Sequence, residues 1–166
     1  MAISTVDDDG VPDTRIVLAR GVDDEGITFF GNYESAKGRQ LDSHPFASAV
    51  FPWLALHRQV RVRGTIEMLS HLESDAYFAS RARDSQLGAW ASLQSAPLRH
   101  RDVFEARFAE MQTRYAGQDV PRPPHWSGYR VTPGRIEFWE DREYRLHHRR
   151  LFLPAGAGWT ESLLYP

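Results

Sequence analysis

The stretch Tyr77-Phe-Ala-Ser-Arg81-Ala-Arg83-Asp84-Ser85 carries a phenol, a guanidinium and a hydroxyl four residues apart, at Tyr77, Arg81 and Ser85. Near the C-terminus, Arg145-Leu-His147-His-Arg149 adds two guanidiniums and two imidazoles. Such groups suit a ligand that is anionic and flat. Guanidinium forks match phosphate oxygens, and a hydrogen bond to a charged group is worth about 1.5–3 kcal/mol. Trp139 offers a face on which a ring can stack. Together the two stretches predict a site for a phosphorylated aromatic molecule.

Geometry depends on the elements that carry these residues. If one helix runs through Ser85, then Tyr77, Arg81 and Ser85 share a face. If it breaks near Ala82, Asp84 or Ser85 becomes the N-cap of a new helix, and free amides join the anion site. The alternative for this stretch is a surface helix with a solvated Arg-Asp pair. On an extended strand Arg145, His147 and Arg149 face one side and Leu146, His148 and Arg150 the other. His147 and His148 then cannot chelate one metal together, and no metal is expected. The alternative for this stretch is an exposed basic strand.

The rest of the chain alternates as an antiparallel sheet does. Ala2 to Val6 and Thr14 to Arg20 are short apolar runs around the turn cluster Asp7-Asp-Asp-Gly10. Asp23-Asp-Glu-Gly26 leads into the strand Ile27 to Phe30. Ser35 is placed to cap a helix that runs to Ser43, before Pro45. Phe46 to Trp53 reads as a strand. From Gln59 to Leu69, Val60, Val62, Gly64 and Ile66 fall on one face and Arg61, Arg63, Thr65 and Glu67 on the other. Ser70-His-Leu-Glu73 matches a capping box, and Leu98 to Tyr115 forms a longer helix. Pro121 to Pro124 is a loop, after which four strands are expected: Gly128 to Val131, Ile136 to Trp139, Tyr144 to Leu153 and Trp159 to Leu164. Many short strands without regular strand-helix alternation favour an antiparallel barrel or sandwich, mainly β with flanking helices, over a doubly wound sheet. No glycine-rich nucleotide loop is present, so a phosphate must be held by side chains and helix ends.

Bulk composition narrows the class. At 166 residues one domain spanning 1–166 is expected. A formal net charge of −2 argues against general nucleic-acid binding. No apolar run reaches the roughly 18 residues of a membrane span, so no membrane partner is expected. The absence of cysteine excludes thiolate catalysis and, with no secretory segment, points to a cytoplasmic location. Lys37 is the only lysine, and every other basic chain is arginine.

Several motifs, in order, resemble the pyridoxine/pyridoxamine 5'-phosphate oxidase family: Arg15-Ile-Val-Leu, Phe51-Pro-Trp53, Arg58-Gln59-Val60, Arg83-Asp-Ser-Gln-Leu-Gly-Ala-Trp90, Gln94-Ser95, Ile136-Glu-Phe-Trp139 and Arg145-Leu-His147. The resemblance covers nearly the whole chain. It implies an antiparallel FMN-binding split β-barrel of Greek-key type that forms a homodimer, with flavin sites between the subunits. Arg15, Ile16, Val17, Leu18, Arg20, Phe30, Gly31, Lys37, Gln59, Gln94, Ser95, Trp139 and Arg149 would hold FMN. Tyr77, Arg81 and Ser85 would bind the substrate phosphate, and Arg145 and His147 would cover the pyridine ring. The implied reaction oxidises pyridoxine or pyridoxamine 5'-phosphate to pyridoxal 5'-phosphate in vitamin B6 metabolism, with O2 as acceptor and hydrogen peroxide as product. Alternatives are a related flavin oxidase of the phenazine-biosynthesis type and a non-catalytic module that binds FMN or pyridoxal phosphate.

Departures from the family pattern are few. Arg20 stands where lysine is frequent, Ala36 where arginine is frequent, and His148 where an acidic residue is frequent. Met1 falls inside the expected first barrel strand, so the chain is expected to lack the family's usual N-terminal segment.

Overall fold

The computed structural model describes residues 1–166. Nine strands form one sheet, in the order β2-β1-β5-β6-β7-β4-β3, with β8 joined to β7 and β9 to β8. By contact density the chain divides into two compact units. The first holds residues 1–29, 40–67 and 129–166; the second holds 30–39 and 68–128.

The first unit is built on antiparallel pairs. β1 (Ala2–Val6) pairs with β2 (Pro12–Ile16), which sets Ile3 opposite Arg15 and Thr5 opposite Asp13. The Asp7 side chain accepts from the Asp9 and Val11 amides and closes the turn between them. The expected strand from Thr14 to Arg20 is corrected at both ends. Its start moves to Pro12, because β2 is an edge strand and an edge tolerates a missing N–H. Its end moves to Ile16, and the Arg20 amide donates to the Thr28 carbonyl instead. β3 (Gly21–Val22) and the start of β4 (Ile27–Asn32) flank a turn in which Asp23 accepts from the Glu25 and Gly26 amides.

β5 (Phe46–Trp53) runs antiparallel to β6 (Arg58–Met68) from Phe46 opposite Thr65 to Trp53 opposite Arg58. Along β6, Val60 and Val62 are buried while Arg61 and Arg63 are exposed, as alternation requires. Gly64 allows the sheet to close up: a Cβ there would lie 2.0 Å from the Thr132 carbonyl oxygen. The core of this unit gathers Ile3, Phe29, Ala49, Val62, Val131 and Leu151.

Two expected strands, Gly128 to Val131 and Ile136 to Trp139, are one. β7 runs unbroken from Trp126 to Glu140. Pro133 lies within it, outside the stretch Ile136–Glu140 that pairs with β8. The expected strand from Tyr144 is also corrected. Residues Glu143–Arg145 form a 3-10 turn, in which Tyr144 and Arg145 have φ of 56° and 62°, and β8 (His148–Ala155) starts three residues later. Consecutive left-handed residues cannot extend a strand. β9 (Gly158–Leu163) pairs with β8 through a tight turn.

The second unit is largely helical. α1 (Ala36–Ser43) begins here, with Ser35 Oγ accepting from the Gly38 amide, as a capping serine should. α2 (His71–Ala79) starts with the expected capping box, in which Ser70 and Glu73 bond reciprocally. A break at Ser80 to Ala82 separates it from α3 (Arg83–Ala91), and α4 (Arg101–Arg114) follows. Phe78, Leu87, Ala91, Met111, Tyr115 and Trp126 make the core of this unit. No helix is long and apolar enough to cross a membrane.

Candidate functional site

In the second unit, an aromatic stack organises the expected phosphate residues. Tyr77 lies on Phe30 with ring centroids 3.9 Å apart and reaches Trp126 at 6.1 Å. The Arg81 guanidinium sits over the same Trp126 ring at 4.8 Å and over Phe78 at 5.5 Å. Tyr77 and Arg81 therefore share one indole as a platform, which fixes a long flexible cation at little entropic cost. The chain breaks at this point, so Tyr77, Arg81 and Ser85 do not lie along one helix. Neither Asp84 nor Ser85 is the N-cap, as the break allowed; Ala82 holds that position, and its carbonyl accepts from the Ser85 and Gln86 amides. Ser85 lies exposed in the first turn of α3. Sequence spacing did not reveal Trp126, which lies far along the chain.

The same unit holds five expected FMN residues: Phe30 in the stack just described, and Gly31, Lys37, Gln94 and Ser95. Lys37 is buried, and its ammonium donates to Ser35 Oγ at 2.9 Å and Gln94 Oε1 at 2.6 Å. Gly31 lies beside it: a Cβ there would come within 2.7 Å of Lys37 Cε and 2.9 Å of Nζ. Any larger residue would fill the space next to the ammonium. Ser95 follows Gln94 with φ of 71°. A non-glycine residue in that region is costly and is found preferentially where geometry serves a ligand. A buried cation, an amide and a cradle kept open by glycine form a donor set that fits an anionic group such as the phosphate of FMN. Ala36 precedes Lys37 and contributes no donor of its own.

In the first unit, Arg15 is held by its neighbours. It donates to Thr5 Oγ1 at 2.6 Å and Gln40 Oε1 at 3.1 Å, and it pairs with Asp13 at 2.5 Å. Ile16 and Leu18 are exposed, Val17 is half-buried and bonds to the Met1 backbone, and Arg20 is exposed. Gln59 and Trp139 line a cavity of about 380 Å³ together with Trp53, Arg58, His148 and Arg150. These rings and polar groups fit a flat heterocycle.

Next to that cavity the sheet register sets Trp139 opposite Arg149. Arg149 Nε donates to Glu137 Oε1 at 2.9 Å, and its Nη1 donates to the Tyr165 carbonyl. Glu137 is buried and also accepts from Arg61 Nη1 at 3.2 Å. The hydrogen bond to Glu137 holds the Arg149 guanidinium above its already high range, so it stays charged. Glu137 is a residue that the sequence reading quoted but did not single out. The available signal was its two-residue spacing from Trp139, which puts both on one face of β7.

The trio Arg145, His147 and Arg149 does not share a strand face, because the strand starts only at His148. Arg145 is exposed on the 3-10 turn. His147 instead packs its ring against Trp139, centroids 4.6 Å apart, with Nδ1 3.0 Å from Asp141 Oδ1. His148, in the cavity wall, contacts Glu140 and Arg142. Glu140 titrates below the usual carboxylate range, mainly through its hydrogen bond from Arg58, with Arg142 adding to the effect.

The family described as pyridoxamine 5'-phosphate oxidase matches residues 1–115, and the one described as pyridoxine 5'-phosphate oxidase C-terminal dimerisation region matches residues 126–166. A pyridoxine/pyridoxamine 5'-phosphate oxidase of Myxococcus xanthus is 54% identical over 166 residues, covering 100% of this chain and 81% of the relative. One from Caulobacter vibrioides is 55% identical over 166 residues, covering 100% of this chain and 75% of that protein. Among solved structures, PhzG from Burkholderia lata, in complex with tetrahydrophenazine-1-carboxylic acid, superposes with a TM-score of 0.92 at 32% identity, over 99% of this chain and 81% of that one. A pyridoxamine 5'-phosphate oxidase-related, FMN-binding protein of Nostoc punctiforme reaches a TM-score of 0.78 at 18% identity, over 99% of this chain and 87% of that one. The fold is accordingly that of the FMN-binding split barrels.

Proposed function

The chain belongs to the pyridoxine/pyridoxamine 5'-phosphate oxidase family, and on that premise we propose that it oxidises pyridoxine or pyridoxamine 5'-phosphate to pyridoxal 5'-phosphate as an FMN-dependent homodimer. One observation carries the substrate reading: Tyr77 and Arg81 are both held on Trp126, and the exposed Ser85 follows four residues after Arg81 in the first turn of α3. A phenol, a fixed guanidinium and a serine are a phosphate clamp in kind. A substrate without phosphate has no use for it.

FMN, when bound, supplies the two-electron acceptor and passes those electrons to O2, giving hydrogen peroxide. The residues of this chain hold and orient. Lys37 and Gln94, with Arg15, Arg20 and Ser95, meet the cofactor's phosphate and polar edge, while Phe30, Gly31, Gln59, Trp139 and Arg149 surround its remaining faces, together with the backbone of Ile16, Val17 and Leu18. Tyr77, Arg81 and Ser85 grip the substrate phosphate. Arg145 and His147 cover the pyridine ring and aim its C4' for hydride departure, because hydride transfer demands near-contact geometry. The alcohol loses a hydride from C4' and a proton from its oxygen. The amine loses the same hydride and a proton from its nitrogen, and water then releases ammonia from the imine. The exposed Trp159, Leu163 and Tyr165 at the C-terminal hairpin supply apolar surface for a second copy.

Anaerobic addition of pyridoxine 5'-phosphate to the FMN-loaded protein tests this directly. The flavin absorbance should bleach and return with air, with peroxide appearing. A loaded protein that stays oxidised with both phosphorylated substrates refutes the reading. The likeness to PhzG supports a second reading, oxidation of a reduced phenazine carboxylate. Bleaching by that ring alone would favour it.

A further inference from the structure

His147 Nδ1 has two suitors of opposite character. Asp141 Oδ1 lies 3.0 Å away and requires a proton on that nitrogen; the Arg142 amide donates to the same nitrogen from 3.3 Å and requires a lone pair. One nitrogen cannot satisfy both. Whichever wins fixes the state of the other ring nitrogen, Nε2: with Nδ1 protonated, the neutral ring presents an acceptor at Nε2, and with Nδ1 bare, it presents a donor.

Asp141 is well placed to win. Its own amide donates to the His57 carbonyl at 2.9 Å, which anchors the backbone that carries the carboxylate. Its contact is shorter than that of Arg142, and a bond to a carboxylate is stronger than one between neutral groups. The ring is also restrained from the side by Trp139. Trp139 then sets the orientation of the ring, and Asp141 its tautomer.

We propose that Asp141 is a positioning residue: it captures Nδ1–H of His147, with Trp139 against the ring, and so presents Nε2 as a hydrogen-bond acceptor toward the C4' oxygen or nitrogen of the substrate. The inference rests on the proposed role of His147 over the pyridine ring. It assigns Asp141 no contact with substrate or flavin. As hydride leaves C4', the proton on the C4' hydroxyl passes to Nε2, and His147 becomes an imidazolium whose Nδ1–H remains on Asp141. Removing Asp141 hands Nδ1 to the Arg142 amide and turns Nε2 into a donor, the wrong polarity for a substrate hydroxyl that must lose its proton.

Two measurements test this, one without turnover. Nitrogen-15 NMR of the imidazoles in the flavin-free protein, at a pH where His147 is neutral, should show the proton of His147 on Nδ1 in the wild type and on Nε2 in Asp141→Ala. Asp141 is partly exposed, so folding survives the substitution, and Asp141→Asn, which keeps an oxygen acceptor, should retain Nδ1–H. With the FMN-loaded enzyme, Asp141→Ala should lower kcat for pyridoxine 5'-phosphate about tenfold with KM and FMN affinity unchanged, and Asp141→Asn should recover most of it. In a His147→Ala background the Asp141 substitution should have no further effect. An unchanged tautomer in Asp141→Ala, a wild-type kcat, or a loss that persists without His147 overturns the proposal. If His147→Ala alone turns over normally, the assigned role of His147 fails and the inference falls with it, while flavin bleaching by substrate would leave the oxidase reading standing.

Discussion

Arg149 and Arg150 are neighbours on β8, and each is held by a glutamate, yet they inhabit different worlds. Arg150 grips Glu161 on β9 with two bonds, Nε to Oε1 at 2.6 Å and Nη2 to Oε2 at 3.0 Å. Arg149 makes one bond to Glu137, at 2.9 Å. By geometry alone the Arg150 pair is the better one. But Glu161 is open to water, whereas the Glu137 side chain is 3% exposed and carries a second arginine, Arg61. Exposed pairs return little because water solvates both partners when they part. A buried carboxylate that loses its partners has nothing to replace them. Bond count is therefore a poor guide here, and environment decides. The register sets Arg149 opposite Trp139 and Arg150 opposite Phe138, and Arg150 also lines the cavity that holds Gln59 and Trp139.

The sharpest way to break this contrast is to delete the buried acid. Glu137→Ala leaves Arg61 and Arg149 without their shared carboxylate and should lower stability by about 2–3 kcal/mol, since both arginines keep some access to water. Urea denaturation, with and without FMN, measures it. A loss no larger than that of an exposed glutamate would show that burial is not what separates the two pairs. Next comes the ligand. Arg149→Ala should weaken FMN binding by roughly tenfold or more, the scale of one charge-assisted hydrogen bond, while Arg150→Ala, which removes a cavity-lining guanidinium already paired with Glu161, should weaken it by only about two- to threefold. Quenching of flavin fluorescence on titration of the apoprotein reads both. Equal effects would mean that the buried and the solvated guanidinium serve the ligand alike.

A third arginine extends the comparison to a different means of restraint. Arg81 is steadied by the faces of Trp126 and Phe78 rather than by an acid alone. Arg81→Ala should raise KM for the phosphorylated substrate about five- to tenfold with kcat little changed. Trp126→Leu, which removes the platform and keeps the guanidinium, should reproduce part of that rise. Steady-state kinetics on both variants decide whether the indole positions the cation or merely fills the core.

How far the sequence reveals these arrangements varies by residue. The buried valines of β6, the Ser70–Glu73 cap and the Asp7 and Asp23 turns follow from local patterns, and local patterns survive tertiary context. The resemblance supplied Lys37 and Gln94, but nothing local to either residue foretells their mutual hydrogen bond, because 57 residues separate them. Two local inferences failed where backbone geometry is unusual. The left-handed pair Tyr144 and Arg145 broke a strand that composition favoured, and the unbroken β7 ran through a proline and a glycine that normally punctuate. Asp141 and Glu137 were invisible for another reason. Each acts on a residue brought near by strand pairing or a turn, so its meaning is a matter of register rather than of residue type.

The smallest expected effect completes the contrast. Glu161 titrates below the ordinary carboxylate range because Arg150 hydrogen-bonds its charged form. A carboxyl whose folded pKa is depressed adds stability that is fully present above its unfolded pKa, near 4.3 for glutamate, and is lost as pH falls through the folded value. Glu161→Gln should consequently shift the denaturation temperature by less than about 2 °C at neutral pH, and by still less in strong acid, where the native carboxyl is itself protonated. Salt should erase even the neutral-pH difference, since both partners lie within reach of counterions. Thermal melts at low and high ionic strength check this. A large shift that survives salt would place the hairpin pair in the same class as Glu137 and would imply that a second copy of the chain covers it, because only exclusion of water gives such a pair that strength.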